Sequence, residues 1–199
     1  MNLPNKLTVA RMCIVPLFIF FMEMRGIYNN ILALFVFCIA AITDFLDGQI
    51  ARRNKAMTAT GALLDPLADK LLIFAAFICF VGIPSLGIPA WMVIIIVARE
   101  FLITGLRSVA VPKNMIVSAD KSGKFKTTSQ MIVIILILTV LIMNELLYSF
   151  ISNNRVCYSC VILLRKLPFW ATVVATIFTI YSGLNYVWKY RRLLLNKDE

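Results

Sequence analysis

Residues 71–98 read LLIFAAFICFVGIPSLGIPAWMVIIIVA, 28 consecutive positions without a charge. A helix crosses the hydrocarbon core of a bilayer with about 20 apolar residues. The run is too long for one crossing, and Gly82, Pro84, Gly87 and Pro89 break it at the centre. These residues predict a short turn between two membrane helices. Residues 127–144 and 167–188 are also uncharged. The whole chain of 199 residues is 61% hydrophobic and 15% charged, far more apolar than a soluble domain of this length needs for its core. The pattern predicts an all-α integral membrane protein with six transmembrane helices, at about 8–24, 31–52, 61–81, 89–108, 124–147 and 165–188. The first span lacks a small-residue cleavage site after Met22-Glu23-Met24-Arg25, so it is expected to stay as an anchor. With no internal repeat and no long connection, residues 1–199 are expected to form one membrane-embedded catalytic domain, preceded by a short N-terminal interfacial segment.

Lysine and arginine set the orientation, because cytoplasmic connections collect them. With the N-terminus inside, 14 of the 20 basic residues fall on the cytoplasmic side and four outside, Arg25, Arg155, Arg165 and Lys166. Lys70 and Arg99 fall within spans. Both termini are therefore expected on the cytoplasmic face of the inner membrane. The net charge of +10 is scattered around apolar spans rather than gathered on one soluble face, which fits anionic lipid headgroups and argues against a nucleic-acid partner.

The chain has no histidine, which removes Ser-His-Asp triads and His-ligated zinc together. Of five cysteines, Cys13, Cys38 and Cys79 lie in apolar runs and are expected in the core. Cys157 and Cys160 form a lone CxxC in the expected outer connection. No second pair completes a metal site there.

Only ten acidic residues occur, and Asp44, Asp47, Asp65 and Asp69 fall within 26 residues of apolar sequence. A carboxylate inside a span costs on the order of 2.5–3.5 kcal/mol, so four together require compensation. Lys70, Arg52 and Arg53 are too few to supply it. Asp44, Asp47, Gly48, Ala51 and Arg52 follow at i, i+3, i+4, i+7 and i+8, one face of the second helix. Gly61, Asp65 and Asp69 follow at i, i+4 and i+8 on the third. The connection at 53–60 is short, so the two faces are expected to meet near the cytoplasmic surface. Converging carboxylates without histidine or thiolate make a hard oxygen site, suited to Mg2+ or Mn2+. Two ions would neutralise a diphosphate and stabilise entering and leaving oxygens in an in-line displacement. Gly48, Ala51 and Gly61 leave that surface free of bulk. Close helix packing is the plainer account of such small residues, but their register with four carboxylates and Arg52 favours a bound nucleotide.

Asp44-x2-Asp47-Gly48-x2-Ala51-Arg52-x8-Gly61-x3-Asp65-x3-Asp69 resembles the signature of the CDP-alcohol phosphatidyltransferases with every fixed position filled. The resemblance implies a six-helix membrane fold, usually a homodimer, acting on a CDP-linked lipid such as CDP-diacylglycerol. It implies that Asp44, Asp47 and Asp65 are chiefly metal ligands. Asp69 would be the general base beside the metals, with Gly48, Ala51, Arg52 and Gly61 around the cytidine nucleotide. Asn2-Leu3-Pro4-Asn5-Lys6-Leu7-Thr8-x2-Arg11, Arg99-Glu100, Gly105-Leu106-Arg107 and Gly123-Lys124-x-Lys126-Thr127 resemble segments of a bacterial branch, the phosphatidylglycerol-phosphate synthases. Its acceptor is sn-glycerol 3-phosphate.

A phosphorylated acceptor needs cationic donors, and Arg99, Arg107, Lys124 and Lys126 lie towards the cytoplasmic ends of the fourth and fifth spans. Topology-setting charge is the simpler account of Lys113, Lys121 and Lys126. Arg99 differs, because it lies in an apolar run with Glu100 expected to point about 100° away from it. Other acceptors, such as phosphatidylglycerol, serine or an inositol phosphate, would use the same chemistry. A small cation transporter could also place carboxylates in the membrane, but it does not require Gly48, Ala51, Arg52 and Gly61. A structural membrane adaptor leaves the four clustered carboxylates unexplained.

Overall fold

The computed structural model describes the backbone of residues 3–54, 59–110, 121–150 and 155–189, and side chains within 12–43, 70–105, 128–147 and 164–188. Among the described residues all regular structure is helical. There are six α-helices: α1 (Leu3–Glu23), α2 (Ile27–Asn54), α3 (Ala59–Val81), α4 (Ala90–Ala110), α5 (Lys121–Phe150) and α6 (Arg155–Lys189). Each covers, to within one residue at α1 and α4, a segment that the sequence marked as apolar and helical. The turn expected inside 71–98 is a single 3-10 turn at Pro84–Leu86, closed by Gly87 at φ +62°, whose N–H bonds the Pro84 carbonyl. Only a residue tolerant of the left-handed region fits there.

The helices pack as a ring. α1 lies against α2 and α3, α2 against α5, α5 against α6, α6 against α4, and α4 against α3. Phe18, Phe37, Phe77, Ile96, Ile137 and Leu138 fill the interior, with the Phe18 and Phe37 rings 6.0 Å apart. In α2 the inward residues are Asn30, Ala33, Phe37 and Ala40, a stripe of helical period.

Three contacts bring connections to one end of the ring. Arg25, at φ +44° in the turn between α1 and α2, donates from Nη2 to the Gly82 carbonyl at 3.4 Å. The Arg25 carbonyl accepts from Asn29 Nδ2 at 2.8 Å. Near the end of α5, Glu145 Oε1 accepts from Asn30 Nδ2 at 3.0 Å. The connections at 24–26 and 82–89 and the last turns of α5, all expected towards the outside, therefore share an end. Asp44 lies 14 residues along α2 from Asn30, roughly 21 Å away at 1.5 Å per residue, so the aspartates belong to the opposite end.

α6 has an inverted polarity. Its inward face carries Thr172, Ala175, Thr176, Thr179 and Ser182, whereas Trp170, Ile177, Phe178, Tyr181, Leu184 and Trp188 face outward and are exposed. A surface helix of a water-soluble protein presents the reverse arrangement. Small residues inside and large apolar residues outside suit helix packing in lipid. Thr172, Thr176 and Thr179 donate their hydroxyls to the carbonyls of Pro168, Thr172 and Ala175 at 2.8, 2.8 and 2.7 Å. Among the described residues, Thr128–Leu147 and Leu164–Trp188 are each long and apolar enough to cross a membrane.

Two expectations need correction. Cys157 and Cys160 lie on α6, whose first residue is Arg155, so the segment expected as an outer connection before the sixth span is helical where they sit. The uncharged run begins only after Lys166, yet helix is already present from Arg155. Cys13 is exposed rather than in the core, while Cys38 and Cys79 are half-buried. An apolar environment on both sides of a helix lets a thiol face lipid as readily as core.

Candidate functional site

Helices α2 and α3 carry the acidic motif, and both are continuous through it. Asp44, Asp47, Gly48, Ala51 and Arg52 occupy the last three turns of α2. Gly61, Asp65 and Asp69 occupy the first three turns of α3, across a connection at 55–58. The one-face spacing expected from the sequence therefore holds at the level of the backbone. The side chains of these eight residues, and the meeting of the two faces, lie outside the described residues. So do the side chains of Arg107, on α4, and of Lys124 and Lys126, in the first two turns of α5. In the described part of the ring, α1 packs on both α2 and α3, and α5 also meets both.

The donor chemistry fits divalent metal. Four carboxylates on two successive helices, in a chain without histidine, offer hard oxygen ligands. Among the described residues no group of three or more metal-ligating side chains occurs, and the four aspartates fall outside that set.

Directly after the motif the side chains are described, and they form a charged network through apolar surroundings. Lys70, the residue following Asp69, lies with Nζ 3.4 Å from Glu100 Oε2 and donates to Thr104 Oγ1. Glu100 Oε1 accepts from Arg99 Nη1 at 2.8 Å, and Arg99 Nη2 donates to Ser182 Oγ at 2.8 Å. Arg99 and Glu100 side chains are 12% and 10% exposed, so little solvent screens the pair. Gly183 makes space for it: a Cβ there would lie 3.0 Å from Arg99 Cγ. The sequence pointed Glu100 away from Arg99, but the long guanidinium stem bends back across the helix surface and closes the pair.

The network joins α3, α4 and α6. Breaking a buried ion pair from one side typically costs about 3–5 kcal/mol, because the remaining charge loses its compensation. Sequence reasoning flagged Lys70 and Arg99 as charges within spans, but missed Glu100, Thr104, Ser182 and Gly183 as their partners. The charges themselves were the available signal. Nothing in the apolar sequence around Ser182 marks it.

Comparison with known proteins adds the remaining observation. A sequence model of the CDP-alcohol phosphatidyltransferases matches residues 1–181, nearly the whole chain and all of the motif. The chain belongs to the CDP-alcohol phosphatidyltransferase family. Among curated members, a Bacillus subtilis protein named CDP-diacylglycerol--glycerol-3-phosphate 3-phosphatidyltransferase is 36% identical over 197 residues, covering 93% of each chain. Proteins with the same name from Rickettsia felis and Haemophilus influenzae are 33% and 32% identical. These cover 95% and 94% of this chain, and 97% and 91% of their own lengths.

Proposed function

We propose that this chain transfers the phosphatidyl group of CDP-diacylglycerol to sn-glycerol 3-phosphate, giving phosphatidylglycerol phosphate and CMP. The observation that carries the reading is the complete motif from Asp44 to Asp69 on two successive helices, within a chain alike over nearly its full length to relatives bearing that activity's name. An acceptor hydroxyl oxygen attacks the phosphorus that carries the diacylglycerol. The bond from that phosphorus to the bridging oxygen breaks, CMP leaves, and the hydroxyl proton passes to the Asp69 carboxylate.

Asp44, Asp47, Asp65 and Asp69 would hold two Mg2+ or Mn2+ ions. Bound there, the ions would neutralise the diphosphate and favour in-line displacement. Gly48, Ala51, Arg52 and Gly61 surround the CDP moiety. Arg107, Lys124 and Lys126 give cationic donors for the acceptor phosphate, and Arg99, braced by Glu100 and Ser182, adds its charge to that group.

The six helices each cross the inner membrane, with both termini and the aspartate end of the ring on the cytoplasmic side, where water-soluble sn-glycerol 3-phosphate is available. Two copies form a homodimer. The inverted polarity of α6 and the shared end of the expected outer connections support this topology.

The deciding experiment is CMP release from CDP-diacylglycerol by purified protein, with sn-glycerol 3-phosphate, phosphatidylglycerol, serine and inositol phosphate supplied one at a time. Release with sn-glycerol 3-phosphate alone is expected. Release with another acceptor instead would move the protein to a different branch of the family, and no release with any would remove the transferase reading.

A further inference from the structure

Asp69 and Lys70 are adjacent, so whatever fixes Lys70 also fixes the turn of α3 that carries Asp69 and, one turn earlier, Asp65. Lys70 is fixed from α4, by Glu100 Oε2 and Thr104 Oγ1. Glu100, Thr104 and Arg107 follow at i, i+4 and i+7, one stripe of α4. The helix that holds Lys70 therefore places Arg107 on the same stripe. Glu100 is itself held from behind, through Arg99 and Ser182 of α6, with Gly183 leaving room for the Arg99 stem. It is the one buried acidic residue among the described residues, and its two oxygens meet two different cations.

We infer that Glu100 is a positioning residue which, through Lys70, keeps the Asp69 turn of α3 in register with the Arg107 stripe of α4. The inference rests on the transferase reading, in which Asp69 takes the acceptor's proton and Arg107 binds the acceptor's phosphate. Glu100 touches neither substrate. Its effect is to keep base and acceptor at reacting distance, where a displacement of about 1 Å can cost on the order of 10²-fold in rate.

The test uses full-length protein in lipid nanodiscs and compares Glu100→Gln, Lys70→Met and Lys70→Arg with the parent. Glu100→Gln should lower kcat by at least about 30-fold while changing the KM for CDP-diacylglycerol by less than about threefold. Mn2+ affinity, followed by electron paramagnetic resonance, should stay within about threefold of the parent, because the ligands are untouched. Lys70→Met leaves the Arg99–Glu100 pair whole and so keeps a folded control if Glu100→Gln fails to fold. It should lose turnover in the same manner, and Lys70→Arg should restore most of it.

A folded Lys70→Met protein with turnover within about twofold of the parent would overturn the inference. So would loss of Mn2+ binding in proportion to turnover, which marks a collapsed site rather than a misaligned one. A parent that releases no CMP sinks the transferase reading and the inference together. An active parent with unaffected variants sinks the inference alone.

Discussion

Gly183 of α6 lies against the stem of Arg99 of α4, so that a Cβ on the glycine would stand 3.0 Å from Arg99 Cγ. The contact is tight, and the neighbouring atom belongs to a side chain rather than to backbone, so an added methyl asks the Arg99 stem to give by a few tenths of an ångström. Gly183→Ala should therefore lower the unfolding temperature in detergent only slightly. Gly183→Leu should lower it much further, because the larger side chain displaces the guanidinium from Glu100 and Ser182 and leaves buried charge uncompensated. Equal melting temperatures for the two variants would show that the α4–α6 contact has slack to spare.

Activity should depend on Mg2+ or Mn2+, since the four motif carboxylates have too few protein cations nearby to offset them. Exhaustive chelation followed by a CMP-release assay is the check. Full turnover after chelation would remove the two-metal site.

Asp69→Asn and Asp44→Asn should fail differently. A general base typically contributes about 10²- to 10⁴-fold, so Asp69→Asn should lose most turnover while keeping CDP-diacylglycerol binding in the presence of Mg2+. Asp44→Asn should weaken metal and donor binding together. Equilibrium binding of donor and Mn2+ to both variants decides the matter, and equal losses would make Asp69 chiefly a ligand.

Replacing Arg107 or Lys124 with Ala should raise the KM for sn-glycerol 3-phosphate far more than that for CDP-diacylglycerol, since the lost interaction is with the acceptor phosphate. Steady-state kinetics with each substrate varied in turn distinguishes this from a structural role, which would shift both.

At the opposite end of the ring, Asn30 is 4% exposed and donates to Glu145 Oε1. Asn30→Leu removes the donor and leaves a part-buried carboxylate oxygen without it, at a cost of about 1–3 kcal/mol. Thermal unfolding should show the loss, while the KM values stay those of the parent because the aspartate motif is distant.

The positions of the helices were legible in the sequence because lipid demands long uncharged runs and the turns need residues such as Gly82, Pro84 and Gly87. The inward faces were not. In water a core face is apolar and the outer face polar, but here outer faces are apolar too, so Cys13 could not be told from a core residue. The same loss of contrast hid Ser182. The aspartate motif was legible because charge inside a span is costly enough to stand out. The partnership of Arg99 with Glu100 was missed, because backbone spacing gives the direction in which a side chain leaves the helix and not where a long, flexible stem ends. Cys157 and Cys160 were expected outside any helix because the uncharged run begins only after Lys166, whereas α6 starts at Arg155.

The hydroxyl bonds along α6 bear on how the protein is assembled. Thr172, Thr176 and Thr179 are satisfied by carbonyls of their own helix, one turn back. The helix can thus enter the bilayer alone, with those hydroxyls already quenched, and wait for α4 and α5 without exposing unsatisfied donors to hydrocarbon. Docking then requires no exchange of those three bonds. The bond from Arg99 to Ser182 is different in kind, because it crosses between helices and so forms only when α4 and α6 meet, which makes that meeting the step at which the charge carried by α4 gains a partner from α6.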